Sequence, residues 1–280
     1  MLHLNEHSNG PAPSIAAVLS ASDWAEKLST ETVTIGGLPI VRLTRDEMRG
    51  LMLSDVVEAR SGAMMRPRVI TSANGSIVAT YHSDPAVRSS IDRMDMIDAD
   101  GMPLVLASRM FCKRPLPERI ATTDFLLDAA AEATRSGIRF YLLGARPGVA
   151  ARAAEHLRYR FPGLQIVGTR HGFFERSDLP KICAKVIESG ADVLWLGLGA
   201  GLQETIALEC RDRLPGVAWV RTCGGLFDHY GGGVSRAPGW MQRSGMEWAY
   251  RAAREPLRLG WRYLITNPQA AWHLLTKTHD

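Results

Sequence analysis

Between Ile70 and Asp124 the chain gathers residues whose types can do chemistry: Thr71-Ser72-Ala73-Asn74, then Asp98-Ala99-Asp100-Gly101, then Glu118-Arg119 and Asp124. A carboxylate beside neutral hydrogen-bonding side chains can take a proton from a hydroxyl. A nearby arginine can offset negative charge that develops on a leaving group. Asp100 is the natural general base of such a set. Taken alone, Asp100-Gly101 reads first as a turn, because Asp and Gly are residues that turns favour.

The elements around these residues give them a common place. Arg68 to Ile70 reads as an apolar strand, Thr71 to Gly75 as a polar loop, and Ser76 onward as a helix. Asp84-Pro85 opens another helix, with Asp as cap and Pro at the first position. A short strand from Met94 to Ile97 leads into the acidic turn. Polar groups at strand ends are where open α/β sheets keep their chemistry. Beyond Ser136 the alternation is regular. Strands are expected at Arg139–Leu143, Leu164–Gly168, Asp192–Leu196 and Ala218–Arg221, with helices between them. The expected fold is α/β, a Rossmann-like, mostly parallel sheet flanked by helices. Upstream, Val33 to Val41 reads as a hairpin around Gly36-Gly37, and Thr44 with Glu47 as a capping box. Residues 1–30 are expected as a flexible tail (with a short helix over Ser22–Leu28), 31–235 as the core, and 236–280 as a basic helical C-terminal appendage.

The bulk numbers describe a globular chain of 280 residues, 46% hydrophobic and 22% charged, with a net charge of +4. The pI of about 9.0 points weakly to an anionic partner. Cys112, Cys183, Cys210 and Cys223 are scattered without a C-x-x-C pair, so a zinc site and a disulfide framework are not expected, and a reducing compartment fits. No secretory signal opens the chain, and no apolar run approaches the length of a membrane span.

Other loops narrow the chemistry. Gly197-Leu198-Gly199 follows a strand, but a dinucleotide fingerprint needs glycine at the position of Leu202 and normally sits in the first strand–helix turn. Such a loop can still hold a phosphate. Gln203 and Glu204 at the following helix start read as caps or as hydrogen-bond partners of a sugar or nucleotide. Arg146, in the loop Gly144–Gly148, is placed to pair with a diphosphate or to lie in solvent. There is no P-loop and no G-x-S-x-G elbow. The histidines lack zinc spacing, His171 and His229 being the two beside glycine loops. Near the C-terminus Arg251, Arg254, Arg258 and Arg262 interleave with Trp240, Trp248, Tyr250, Trp261 and Tyr263. Spacings of three and four put these arginines on one helical face, apart from a kink at Pro256. That pattern suits an anionic membrane surface or a packed helix with a solvated face. The core has no basic stripe for nucleic acid.

Taken together, the motifs resemble the WecG/TagA/CpsF family of bacterial glycosyltransferases (glycosyltransferase family 26), from about Val69 to Tyr263. The resemblance rests on Ser72-x-Asn74, Asp100-Gly101, Ser108-Arg109, Glu118-Arg119 and Asp124. It continues through Leu142-Leu143-Gly144, Phe161-Pro162-Gly163-Leu164, Gly168, Gly172-Phe173-Phe174 and Gly197-x-Gly199 with Gln203-Glu204. It closes with Gly224-Gly225-x-Phe227-Asp228, Arg236-Ala237-Pro238, Glu247-Trp248, Arg251 and Glu255-Pro256.

The resemblance implies an inverting transfer from a UDP-sugar to a polyprenyl-diphosphate-linked saccharide, without metal or other cofactor, in exopolysaccharide or cell-envelope glycan synthesis. It implies a cytoplasmic protein, peripheral at the inner face of the plasma membrane. Asp100 is then the base, and Ser72 and Asn74 orient the sugars. Gln203 contacts the donor, and Arg119 and Arg251 offset the leaving diphosphate. Asp124, Gly144, Gly199, Glu204 and Asp228 belong to the substrate-binding set. The chain departs from the family pattern at Ser72 (usually Thr), Thr122 (usually Gly) and Gly201-Leu202 (usually Pro-Lys). A glucosyl or glucuronosyl donor is therefore as tenable as an N-acetylmannosaminyl one. A non-catalytic sugar-nucleotide-binding partner of a polysaccharide assembly complex is the alternative, and a homo-oligomer is compatible with the sequence.

Overall fold

The structure, a computed structural model, describes residues 21–254, 256 and 260–280. The reading of residues 1–20 as a tail, and the roles of Glu255 and Arg258 in the C-terminal pattern, lie outside the described residues.

The first elements build a platform beside the main sheet. Helix α1 (Ala21–Thr30) covers the short helix expected over Ser22–Leu28 and buries Trp24. Strands β1 (Thr32–Ile35) and β2 (Leu38–Val41) form the expected hairpin. Gly36 and Gly37 both take positive φ, 59° and 86°, as a two-residue hairpin turn requires. Helix α2 (Arg45–Ser61) starts at the Thr44–Glu47 capping box and stops at Gly62 in the left-handed region.

The main body follows as β3 (Arg68–Ala73), α3 (Gly75–Ser83), α4 (Pro85–Ile91), β4 (Met96–Ala99), α5 (Met102–Phe111), α6 (Thr122–Ser136), β5 (Arg139–Gly144), α7 (Val149–Arg160), β6 (Gln165–Arg170), α8 (Leu179–Glu188), β7 (Val193–Gly197), α9 (Leu202–Arg211) and β8 (Trp219–Thr222). Then come α10 (Leu226–Gly231), α11 (Gly239–Arg243), α12 (Glu247–Arg254) and α13 (Trp261–Thr276). The six strands β3 to β8 form a parallel sheet in the order β4-β3-β8-β7-β5-β6. This is the expected α/β, Rossmann-like arrangement. From β5 the chain leads outward to β6; from β7 it leads the opposite way, to β8. The connections therefore diverge between neighbours β5 and β7, opening a crevice at their carboxyl ends. Apolar clusters fill both faces. Phe125, Phe140, Trp195 and Trp219 lie on the side of α2, α6 and α7, and Leu194, Leu196, Ile206 and Val220 on the side of α8 and α9.

Three stretches differ from expectation. Strand β3 runs on through Thr71, Ser72 and Ala73, where a loop was expected, because their side chains pack or hydrogen bond inside the sheet region. Strand β4 begins at Met96 and carries Asp98 within it. The glycine run Gly231–Gly233, whose composition reads as a flexible joint, is packed at its start, where a Cβ on Gly231 would fall 2.2 Å from the Val149 carbonyl oxygen.

The C-terminal segment returns to the body. Ala270 and Leu274 of α13 belong to one apolar cluster with Ile35, Leu38, Ile77 and Val78. His279 bridges to Thr34, and the Gly37 N–H donates to the Lys277 carbonyl. The segment drawn as an appendage thus ends fastened to the hairpin at the other end of the chain.

Candidate active site

An open cleft of about 1590 Å³ lies across the carboxyl ends of β3, β4, β5, β7 and β8 and is bounded on its far side by residues of 245–251 and 262–274. Ser72, Asn74, Asp100, Arg119, Gly199, Gln203, Asp228 and Arg251 all line it. Residues separated by up to some 180 positions in sequence therefore share one cavity.

Asp100 follows β4. Its own N–H and that of Gly101 both donate to the Ala73 carbonyl, which presses the acidic turn against the end of β3. A Cβ on Gly101 would lie 3.2 Å from the Asn74 Cα, so the glycine permits this approach. Asp100-Gly101 is thus both the turn and the floor of the cleft. One carboxylate oxygen, Oδ1, accepts the Thr122 N–H at 3.0 Å, at the start of α6. Asn74 caps α3, its Oδ1 accepting the Ile77 N–H at 3.2 Å. Ser72 Oγ lies 3.1 Å from Thr122 Oγ1, so two of the residues that depart from the family pattern are partners of one another.

Below the cleft is a pair that sequence inspection missed. Arg221 on β8 and Asp98 on β4 are fully buried and joined at 2.6 Å, reaching across β3 between them. The Arg221 Nη2 donates to Ser72 Oγ at 3.2 Å, and its guanidinium lies 4.9 Å from the centre of the Phe125 ring. Burial pushes the Asp98 carboxyl up from its ordinary value, with the Arg221 charge opposing. The available signal was an ionisable residue, Arg221, inside the apolar run Ala218–Thr222.

Glu204, Gly144 and Asp124 of the predicted set do not line the cleft. Glu204 is fully buried. It accepts Gly201 N–H (2.6 Å), Thr71 Oγ1–H (3.1 Å) and Gln203 Nε2–H (2.8 Å), so it caps α9 and ties it to β3. Gln203 faces the cleft, but its Oε1 accepts the Gly224 N–H at 2.8 Å, so both ends of its amide are in use. Gly144 contributes backbone: a Cβ there would fall 2.2 Å from the Gly197 carbonyl oxygen, and its absence lets the β5 and β7 loops abut. Beside it, Ala145 holds the sole positive φ (57°) of a non-glycine among the described residues. It is clamped by bonds to Gly197 and from Gly172.

Asp124 is held between Arg236 and Arg119. Burial raises its carboxyl, but the Arg236 hydrogen bond and the two arginine charges outweigh this and hold it below the usual carboxylate range. Arg119 reaches from Asp124 to Glu247 of α12 at 3.3 Å, and Arg236 also donates to Gln242 at 2.7 Å. Arg251 and Arg262 line the cleft, whereas Arg254 turns to Ser235, so the described arginines do not share one face. Arg251 Nε is buried without a partner. His229 lines the cleft with Nδ1 3.1 Å from the Val234 carbonyl oxygen, and burial holds its imidazole below its ordinary value. His171 accepts the Phe173 N–H within its own loop. Among the described residues no cluster of three or more His, Cys, Asp or Glu is placed to hold a metal ion.

A parallel sheet with its polar side chains gathered at a crevice between strand ends defines an α/β enzyme of the open-sheet class. Over residues 33–279, nearly all of the chain, it matches the glycosyl transferase WecG/TagA/CpsF family, and it belongs to that family. It is therefore a glycosyltransferase. No helix among the described residues is long and apolar enough to cross a membrane.

Proposed function

We propose that the protein transfers a sugar, with inversion and without a metal, from a UDP-sugar to a polyprenyl-diphosphate-linked saccharide in exopolysaccharide or cell-envelope glycan synthesis. The donor is of the N-acetylmannosaminyl, glucosyl or glucuronosyl type. Asp100 takes the proton of the acceptor hydroxyl while UDP leaves. The observation that carries this reading is the convergence on one cleft of Asp100, Ser72 and Asn74 from the sheet, Arg119 from the segment before α6, and Arg251 and Arg262 from the opposite wall. A departing diphosphate needs such cations, and here it competes with Glu247 for Arg119.

Peripheral attachment to an anionic membrane has its own support. On α13, Trp261, Leu264, Ile265, Trp272 and Leu275 are exposed, at spacings that form one outward stripe, while Tyr263, Ala270 and Leu274 face inward. Deleting the segment would also strip Ala270 and Leu274 from the core, so point changes are the cleaner probe. Replacing Trp261, Leu264 and Trp272 with Ser should abolish sedimentation with anionic liposomes and leave the melting temperature unchanged. Undiminished sedimentation would exclude this face.

The reaction is tested by UDP release from a panel of UDP-sugars with a polyprenyl-diphosphate-linked sugar and EDTA present. Acceptor-dependent release is expected, falling about 100-fold or more in Asp100→Asn. Equal turnover of the variant would remove Asp100 from the mechanism. Donor binding without turnover by the wild type would favour the non-catalytic alternative, to which Leu202, 56% exposed at the cleft where the family pattern has Lys, lends some weight.

A further inference from the structure

The buried Asp98–Arg221 pair is not explained by stability. Removing two charges from water is costly, and such pairs commonly give no net gain over apolar residues of equal volume. Two other buried carboxylates near the sheet are well supplied with donors: Asp192 takes Arg60, Arg139 and the Arg139 N–H, and Asp55 takes Arg68 and Trp219. The Asp98–Arg221 pair leaves Asp98 Oδ1 and Arg221 Nε without partners, although both residues are fully buried. What it does provide is a rigid guanidinium, clamped by Asp98 on one side and by the Phe125 ring on the other, with one N–H aimed at Ser72.

From Arg221 a continuous series of bonds reaches the floor of the cleft. Arg221 Nη2 donates to Ser72 Oγ (3.2 Å), Ser72 Oγ pairs with Thr122 Oγ1 (3.1 Å), and the Thr122 N–H donates to Asp100 Oδ1 (3.0 Å). An arginine only donates, so one lone pair of Ser72 is permanently filled. Of the two hydroxyl protons in the Ser72–Thr122 pair, one closes their mutual bond. The Asp98 carboxylate also draws on the Ser72 hydroxyl, which opposes the rise that burial gives it, and both Ser72 and Thr122 line the cleft.

We propose that Arg221, held by Asp98, is a positioning residue for the transfer: through Ser72 it fixes Thr122 and thereby the rotamer of Asp100. The proposal rests on Asp100 being the base. Arg221 itself touches no substrate. The pair acts as a buried strut, and its cost in stability is the cost of holding a base in one orientation.

The experiment uses Asp98→Asn/Arg221→Met, which removes the pair without leaving an unpaired buried charge, alongside Arg221→Lys, Ser72→Ala and the triple variant. The expected result for the double variant is a folded protein whose kcat falls about 10- to 100-fold, the scale set by misplacing a reacting group. Its donor KM should stay within about threefold, because no binding contact is lost. Ser72→Ala should cost its full factor in the wild type and little more in the double variant, since both act through one series of bonds. Additive losses, or wild-type kcat in the double variant, would overturn the proposal. A crystal structure of the double variant gives an arm that needs no turnover. There the Thr122–Asp100 and Ser72–Thr122 bonds should be broken or the Asp100 side chain rotated; both bonds intact would also overturn it. Failure of Asp100 as the base is seen separately, as wild-type turnover by Asp100→Asn.

Discussion

The two walls of the cleft are held by different physics. The sheet wall, at the ends of β3, β7 and β8, is fixed by buried neutral donors converging on a buried carboxylate. Thr222 donates to Thr71, Thr71 and Gln203 donate to Glu204, and Gly224 donates to Gln203. The opposite wall, residues 236–254 and 261–276, is held by arginine–carboxylate pairs that remain partly open to water, Arg236–Asp124 and Arg119–Glu247, and further along by a histidine stack on α3 and the burial of Ala270 and Leu274. Buried bonds resist opening in one direction only at the full cost of desolvation. Solvent-accessible ion pairs exchange cheaply with other ions. A transferase acting on charged, bulky substrates gains from this division: one wall sets geometry and the other can yield to let a diphosphate in.

The largest effect that would test this contrast lies in the sheet wall. In Glu204→Gln the size is kept, but every bond to this side chain arrives from a donor, so the new amide N–H₂ must face one. A stability loss of roughly 2–3 kcal/mol is expected, read as a shift of the denaturation midpoint with an unchanged m-value. A variant as stable as the wild type would mean that the sheet wall is not set by this network.

A smaller and local effect is expected opposite. Arg236→Ala removes the hydrogen-bonded partner of Asp124 while Arg119 remains. The expected loss is about 1–2 kcal/mol, confined to the attachment of residues 239–254. Amide exchange in α11 and α12 should accelerate while β3 and β7 stay protected. Uniform acceleration across the sheet would erase the distinction between the walls.

Much of the sheet wall was legible because its signals are local. The Asp84-Pro85 cap, the Thr44–Glu47 box and the order of the glycine loops each occupy a few consecutive residues, and the structure places them as expected, whereas β3 and β4 end beyond their expected ends. The gathering of Ser72, Asn74 and Asp100 followed from strand-end logic. What was not legible depends on partners far apart in sequence. Glu204 reads as a site residue until Thr71, some 130 positions away, is seen bonded to it. Arg221 is hidden inside an apolar run, and its meaning depends on Asp98 across β3. The arginine spacing at the C-terminus suggested one charged face, but tertiary contacts decide that Arg251 and Arg262 turn to the cleft and Arg254 away. The apolar stripe from Trp261 to Leu275 is not legible as a surface in the sequence, because its outward direction depends on Ala270 and Leu274 packing inward.

The smallest effect concerns the far end of the yielding wall, where pH should act on it alone. His273 of α13 stacks on His82 of α3 with ring centres 3.7 Å apart. Lys277 Nζ lies 3.3 Å from His82 Nδ1, and His82 Nε2 lies 2.8 Å from the Gly36 carbonyl oxygen. Burial, and then neighbouring positive charge, hold both imidazoles below their ordinary value: Lys277 and Arg88 act on each, and His82 acts on His273. The Gly36 carbonyl opposes this for His82. A histidine with a depressed folded value binds its proton more readily in the unfolded chain. Its contribution to stability is therefore complete above the ordinary histidine range and is lost as pH falls through the folded value. Between pH 7.5 and 5.5 the melting temperature should fall slightly and exchange at α13 should rise, while the exchange of β3 and β7 is unchanged. His82→Phe/His273→Phe keeps two stacked rings and removes both titrations. If that variant loses as much stability on acidification as the wild type, the acid response belongs elsewhere, with His229 at the cleft as the next group to replace.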